Sequence, residues 1–455
     1  MKKLFLLLFS VLTLSFHASA GISGVYTYKM QHLLDSLCTK YKIKGISAAI
    51  YIPGDGLWKG VSGESENGVP LTTDMYLPIG SNTKTFTSAI ILKLQEDGKL
   101  SINDTIGTWI QGQPNINGQI TVKQLLNHTS GLYDYTQHPG FFSALNADFT
   151  KVWQPEDMYQ FIDAPVAAPG APWEYCNTNY LLLGIIIKSV TGQPLAKAYR
   201  DMICTPQQLA HTVFYPDEQP NGTIPHGWTA SLGTHLEDMQ LTYNWTNIAF
   251  LSMANAAGAI LSTAEDNVMF WHGLMSGNII NSNSLAQMKD FINLGGGSSY
   301  GLGLFRMKPV NGRTTYGHGG TCFGYINENL VDSVSGVCIT VFSNQDSLGN
   351  NFLFNKVVMA LHKLTTQMPP ASVGNTEAGQ SISIYPNPAN NVLNIHAESG
   401  AVFQLCDMTG KTVISTTLTT ANETIQVGQL TPGLYLSRIS KNGVPLQTQK
   451  LQIVH

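Results

Sequence analysis

Apolar and polar positions change period several times along the chain, and each change marks an element. Ile46-Ser47-Ala48-Ala49-Ile50-Tyr51-Ile52 enters the turn Pro53-Gly54-Asp55-Gly56 and leaves it through Leu57-Trp58-Lys59-Gly60-Val61, which predicts a hairpin over residues 46–62. From Ser81 to Asp97 the apolar residues Phe86, Ala89, Ile90 and Leu94 recur with helical spacing, and Gly98 stands where a helix would stop. A second buried helix is expected after Asn177, ending at Gly192. Residues 323–343 alternate again around Ser335-Gly336, a hairpin with Cys322 at its entrance and Cys338 in its return strand. Strands therefore stand at both ends of a helix-rich middle.

The segment Thr365 to Gln380 holds Pro369-Pro370 and no periodicity, and reads as a linker over 365–381. Beyond it, short β-prone runs alternate with turns at Asn390-Asn391, Ser399-Gly400, Thr409-Gly410, Pro432-Gly433 and Asn442-Gly443. Turn signals spaced by roughly 8–12 residues are what a small antiparallel sandwich produces, so a second domain is expected at 382–455. The predicted fold class is α/β of the α+β kind: an antiparallel sheet flanked by helices, followed by an immunoglobulin-like β-sandwich.

The start of the chain changes the picture of where it works. Lys2 and Lys3 precede an apolar run from Leu4 to Phe16 and the small residues Ala18-Ser19-Ala20, the pattern of a secretory signal peptide over residues 1–20. That run is shorter than the roughly 20 residues of a spanning helix. The other long apolar stretch, Tyr180 to Ile187, is broken by Gly184, so no transmembrane segment is expected. Charged residues make up 12% of the 455, and 25 Lys plus Arg against 29 Asp plus Glu leave a net charge of −4 without a basic run. Nucleic acid is therefore not an expected partner. The six cysteines are scattered and their pairing stays open; none has metal-ligand spacing, and no metal or other cofactor is called for.

Three short segments carry candidate chemistry. In Ser81-Asn82-Thr83-Lys84, the lysine lies one helical turn beyond the serine, so its amine can reach the hydroxyl, and the helix start adds amide donors for an oxyanion. No other serine in the chain has a lysine three positions later. Tyr175-Cys176-Asn177 precedes the second helix. A phenol beside an ammonium is drawn toward its ionised form, so Tyr175 near Lys84 would take the Ser81 proton, while Asn177 offers a donor and an acceptor to a substrate amide. The third segment, Tyr316-Gly317-His318-Gly319-Gly320-Thr321, lets another backbone or a ligand approach closely; the Thr321 amide would join that of Ser81 around an oxyanion, and His318 would touch substrate or the proton network. Taken singly, each has a plainer reading: a capping serine with a surface lysine, a packing tyrosine with a capping asparagine, a glycine-rich turn with a surface histidine. Their occurrence together and in this order is what points to catalysis.

Ser81-x-x-Lys84, Tyr175-x-Asn177 and His318-x-Gly320 resemble the three motifs of the serine β-lactamase and penicillin-binding peptidase superfamily, in its class C-like branch of D-alanyl-D-alanine carboxypeptidases, D-amino-acid peptidases and esterases. Leu125 to Leu132 and Ala257 to Thr263 are similar to segments of the same branch, with His128 and Ser130 taken as structural. The resemblance spans about residues 25–364 and implies a β-lactamase-like serine hydrolase domain over 21–364. It implies Ser81 as the acylated nucleophile, Lys84 and Tyr175 as the proton-transfer pair, Asn177 as a substrate contact, and His318, Gly319, Gly320 and Thr321 along the strand edging the cleft. The expected substrate is a small molecule or peptide with an amide or ester bond: a D-amino-acid peptide, a peptidoglycan stem, an ester or a β-lactam. A penicillin- or cell-wall-binding protein without turnover is the alternative. His318 stands where β-lactamases carry lysine, which replaces a permanent cation with a mostly neutral group and weakens the case for efficient β-lactam hydrolysis. At the other end, Ile384-Tyr385-Pro386-Asn387-Pro388, Asp407 to Lys411, Pro432 to Tyr435 and Lys450 to Val454 resemble the type IX secretion sorting domain of Bacteroidetes. That implies secretion machinery as a partner and a secreted or surface-attached protein.

Overall fold

The computed structural model describes residues 22–230, 235–310, 312–347, 352–368, 382–407, 411–441 and 444–454. The expected signal peptide, most of the expected linker and the turns at Thr409-Gly410 and Asn442-Gly443 lie outside the described residues. The described residues divide into two compact units, one within Met30–Met368 and the other holding Ile22–Lys29 and residues 382–454.

Helix α1 (Gly24–Tyr41) leads into strands β1 (Gly45–Ile52) and β2 (Gly56–Glu66), the hairpin expected at 46–62. The middle of the unit carries helices α2 (Thr83–Glu96), α3 (Asn177–Thr191) and α4 (Ala264–Met275). The return to sheet comes with β3 (Ile292–Gly295), β4 (Ser298–Tyr300), β5 (Phe305–Val310), β6 (Arg313–Gly317), β7 (Gly320–Cys322), β8 (Tyr325–Asp332) and β9 (Cys338–Ser343). All pair antiparallel in the order Val69–Pro70, β2, β1, β9, β8, β6, β5, β4, β3, with β7 beside the start of β8. The first long strand thus lies against the last, Ile46 opposite Ser343 and Tyr51 opposite Cys338. Both are buried along nearly their whole length, as central strands covered on two faces must be.

Strand alternation explains how the faces are covered. Asn329 and Asp332 on β8 are three positions apart and so point to opposite sides. On one side Asn267 of α4 donates to Asn329 Oδ1 and, at 3.2 Å, to Thr340 Oγ1. On the other, His362 of α5 (Phe352–Thr366) lies 3.0 Å from Asp332 Oδ2. Helix α5 runs to Thr366, so the helical period persists two residues into the segment read as linker, with Leu361 and Val358 buried.

A smaller sheet of Leu77–Pro78, Ile260–Ser262 and Thr212–Phe214 sits at the head of α2. It fixes the entry to Ser81, because the Ile79 amide donates to the Ile260 carbonyl at 2.9 Å just before a 3₁₀ turn over Gly80–Asn82. Helix α2 is almost wholly buried from Thr83 to Leu92, and Phe86 stacks on Phe270 of α4 with ring centroids 3.4 Å apart.

The second unit has two sheets. Strands β10 (Ser383–Tyr385), β11 (Val392–His396), β12 (Val402–Cys406), β13 (Thr412–Thr417), β14 (Asn422–Gln426), β15 (Gly433–Lys441) and β16 (Val444–Ile453) pair as β10-β11-β14 and β13-β12-β15-β16. Alternate residues of both sheets, among them Leu393, Ile395, Phe403, Leu405, Ile439 and Leu451, form one core, the arrangement of a β-sandwich.

Candidate active site

The three motifs come together where α2, α3 and β7 meet. Lys84 has no exposed surface. Its Nζ lies 3.0 Å from Ser81 Oγ, 2.9 Å from Asn177 Oδ1 and 2.8 Å from the Ala257 carbonyl. The last contact depends on Gly184 of α3: a Cβ there would stand 2.7 Å from that of Ala256 and 2.9 Å from Asn255 Oδ1, so only a bare backbone lets the 255–257 turn come this close. Thr87 Oγ1 holds the same turn by donating to the Ala256 carbonyl at 2.7 Å.

Burial lowers the Lys84 ammonium to about 7, against the opposing pull of Asp134 and of Cys322 and Cys176. A neutral amine has two N–H donors and one lone pair. Its three neighbours suit that form: two carbonyl oxygens accept, and the lone pair faces the Ser81 hydroxyl.

Tyr175 lies over the same amine, with Lys84 Nζ 5.0 Å from its ring centroid. The ionised phenol expected from that proximity is not favoured here. Burial drives the phenol well above its ordinary range, and a hydrogen bond with Ser81 offsets only part of this. The ring rests on His128, centroids 4.4 Å apart. His128 is held in left-handed backbone (φ 60°) and its Nδ1 receives the Cys176 amide at 3.2 Å, with the Asn179 amide group 3.0 Å away. His128 thus supports the Tyr175 segment from beneath, the structural part expected of it, and Ser130 does so less directly by donating to Asn179 Oδ1 at 2.6 Å.

Asn177 has both ends engaged. Its Oδ1 accepts from Lys84, and its Nδ2 and backbone amide donate to Asp134 Oδ2 at 3.0 and 3.1 Å. Asp134 Oδ1 in turn accepts from the Thr136 amide and hydroxyl. The carboxylate was not marked by sequence reasoning, nor was the Ala257 carbonyl. Asp134 follows the Leu125 to Leu132 segment by two residues, a signal only of neighbourhood.

Strand β7 closes the other side. Gly80 has φ 48°, and a Cβ on it would stand 3.1 Å from the Thr321 nitrogen; one on Gly320 would stand 2.9 Å from the Ser81 nitrogen. The two glycines therefore let the backbones carrying the Ser81 and Thr321 amides face each other closely. Asn327 of β8 fixes this contact, its Nδ2 donating to the carbonyls of Ile79 at 2.8 Å and Gly320 at 3.2 Å. Thr321 is exposed and Ser81 half-buried, so the facing backbones open on solvent.

His318 does not reach the cleft. It is buried, 3.3 Å from the Tyr300 hydroxyl and 2.6 Å from the Gly319 carbonyl, with Phe305 and Tyr175 against its ring. Burial lowers it to about 3, so it stays neutral. Gly319 sits over Glu328 Oε2, which would stand 2.6 Å from a Cβ at that position.

Ser81, Asn177 and Thr321 line a cavity of about 360 Å³ whose walls include Phe141, Phe142, Phe250 and Phe323. A larger hollow of about 730 Å³, lined by Trp153, Glu156 and Asp217 among others, holds no residue of the three motifs. All six cysteines are free thiols. Cys322 lines the smaller cavity, and burial raises its thiol to about 12. Among the described residues no cluster of ligand side chains suits a metal ion.

Residues 29–362 match the beta-lactamase family. The chain belongs to that family. Among its relatives, penicillin-binding protein 4 of Amycolatopsis lactamdurans is 27% identical over 69% of this chain and 84% of its own length. The structure of a D-stereospecific amidohydrolase from Streptomyces sp. is 28% identical, with a TM-score of 0.64, over 73% of this chain and 98% of that one. A D-amino acid amidase from Ochrobactrum anthropi SV3, complexed with L-phenylalanine amide, is 26% identical with a TM-score of 0.66, over 75% and 99%. Membership accounts for the order of the three motifs. Residues 383–454 match the secretion system C-terminal sorting domain, in line with the resemblance drawn from the strand motifs.

Proposed function

We propose that this protein is an exported serine hydrolase that cleaves an amide or ester through an acyl-enzyme on Ser81. Ser81 Oγ attacks the carbonyl carbon as its proton passes to the neutral Lys84 amine. The oxyanion lies between the Ser81 and Thr321 amides. Tyr175, neutral and hydrogen-bonded with Ser81, passes the proton onward to the leaving nitrogen or oxygen as the bond to carbon breaks. Water then adds to the acyl carbon, giving a proton to Lys84, and the bond between that carbon and Ser81 Oγ breaks as the proton returns to Ser81 Oγ and the acid leaves. Asn177 and Asp134 hold Lys84 in place.

The observation that carries this reading is the Lys84 amine, wholly buried, lowered to about 7 and 3.0 Å from Ser81 Oγ. A base poised near the working pH is what an unactivated serine needs. The amidohydrolase and amidase relatives support an amide substrate, and the neutral, buried His318 supports amide or ester over β-lactam turnover. Mass spectrometry after exposure to a fluorophosphonate tests it. An adduct on Ser81, lost in Ser81→Ala, is expected; no adduct with either a fluorophosphonate or a penicillin overturns the hydrolase reading.

The sorting-domain match together with the Lys2-Lys3 and Leu4–Phe16 pattern supports export to the outside or the cell surface. Deleting 382–455 in the native host is expected to retain the protein inside the cell envelope. Normal release of that truncation overturns the delivery role.

A further inference from the structure

The cavity beside Ser81 has two features that together describe the acyl part of a substrate. Its walls are aromatic: Phe250 packs edge-on against Phe323 with centroids 5.0 Å apart, Phe142 against Phe323 at 6.2 Å, and Phe141 against Phe142 at 5.2 Å. Phe142 stays 47% exposed, a large apolar surface left open at the cavity. Apolar area of this kind favours a bulky hydrocarbon side chain on the bound group.

The charge on the same wall is negative. Asp346 lines the cavity next to Thr321, Cys322 and Phe323, and no Lys, Arg or His is among the lining residues. Asp346 Oδ2 accepts from the Gly324 amide at 2.9 Å and Oδ1 from the Ser347 hydroxyl at 2.6 Å. These bonds fix the carboxylate at the end of β7, and among the described residues it forms no salt bridge. Each oxygen keeps a lone pair for a further donor. A carboxylate on the acyl group would meet this charge uncompensated, whereas an ammonium would be drawn to it.

We infer that the acyl group cleaved at Ser81 carries both an aromatic or bulky apolar side chain and a free cationic amine read by Asp346, as in an amide or ester of an unblocked aromatic amino acid. This rests on the hydrolase reading and narrows its substrate class. Acylating the amine removes the charge and should remove the advantage.

The test compares kcat/KM for D-phenylalanine amide and N-acetyl-D-phenylalanine amide, in the full chain and in Asp346→Asn, with active sites counted by fluorophosphonate titration of Ser81. The native protein is expected to prefer the free amine by about tenfold or more, chiefly through KM, the scale of one well-placed charge contact. Asp346→Asn is expected to bring the ratio close to one, and Asp346→Glu to restore part of it. Replacing phenylalanine by alanine in the free amide is expected to lower kcat/KM by at least a similar factor. Equal rates for the two amides, a ratio unmoved by Asp346→Asn, or no turnover of either amide by protein whose Ser81 still labels each overturns the inference and leaves the hydrolase reading standing. Failure of Ser81 to label overturns the hydrolase reading itself.

Discussion

The pH dependence of Ser81 labelling gives the sharpest check on how the nucleophile is activated. The amine 3.0 Å from Ser81 Oγ is lowered to about 7, whereas a solvated lysine would titrate near 10.4. Only the neutral amine can accept the hydroxyl proton. With a midpoint of 7, about 9% of the protein holds that form at pH 6 and about 91% at pH 8, so labelling speeds up about tenfold across this interval and then levels off. The sign follows from burial: desolvation penalises the ammonium, so the competent state gains as pH rises. His318, lowered to about 3, adds no limb of its own between pH 5 and 8. The assay is the second-order rate of fluorophosphonate labelling from pH 5 to 9, followed by intact mass, and it needs no knowledge of the natural substrate. A rate still climbing near pH 10, or one flat from pH 6 to 8, refutes Lys84 as the base.

Three further variants probe neighbouring contacts. Asp134 opposes the lowering of Lys84, so Asp134→Asn should move the midpoint of the same profile to lower pH; a midpoint that rises refutes the assignment. That variant also sets an amide N–H against donors now received by a carboxylate oxygen, with a stability loss of about 1–3 kcal/mol readable as a lower Tm. Tyr175→Phe removes the relay while leaving the aromatic packing on His128, and should slow amide turnover by about 10²-fold or more with little change in Tm. Gly80→Ala places a Cβ at φ 48° and 2.9 Å from the Thr321 carbonyl, which should cost about 1–3 kcal/mol in thermal unfolding and slow Ser81 labelling by separating the facing amides.

What could be read from the sequence was local. The 46–62 hairpin and the helix beyond Ser81 follow from period and turn residues within a few positions of each other. So does the helix from Asn177 that ends at Gly192, where φ is 65°. Spacing also brings Lys84 to Ser81, since one helical turn sets it. The charge on Tyr175 was not legible, because it depends on burial produced by α3, His128 and Tyr300 together. His318 was read as a cleft residue for a similar reason: the glycines around it are visible in the sequence, while Tyr300 and Phe305, which enclose it, come from β4 and β5. Asp134 and the Ala257 carbonyl enter from separate loops, and the approach of the second depends on a single bare position, Gly184, in a helix that otherwise reads as continuous core.

The pairing of β1 with β9 bears on when the hydrolase unit can form. Ile46 opposite Ser343 is a contact between nearly the two ends of that unit, and strand pairs so distant in sequence close slowly. A chain threaded amino end first through a membrane cannot complete its central ladder until residue 343 has emerged. On the export route proposed, the central ladder, and with it the site at Ser81, would be completed only once residue 343 has crossed.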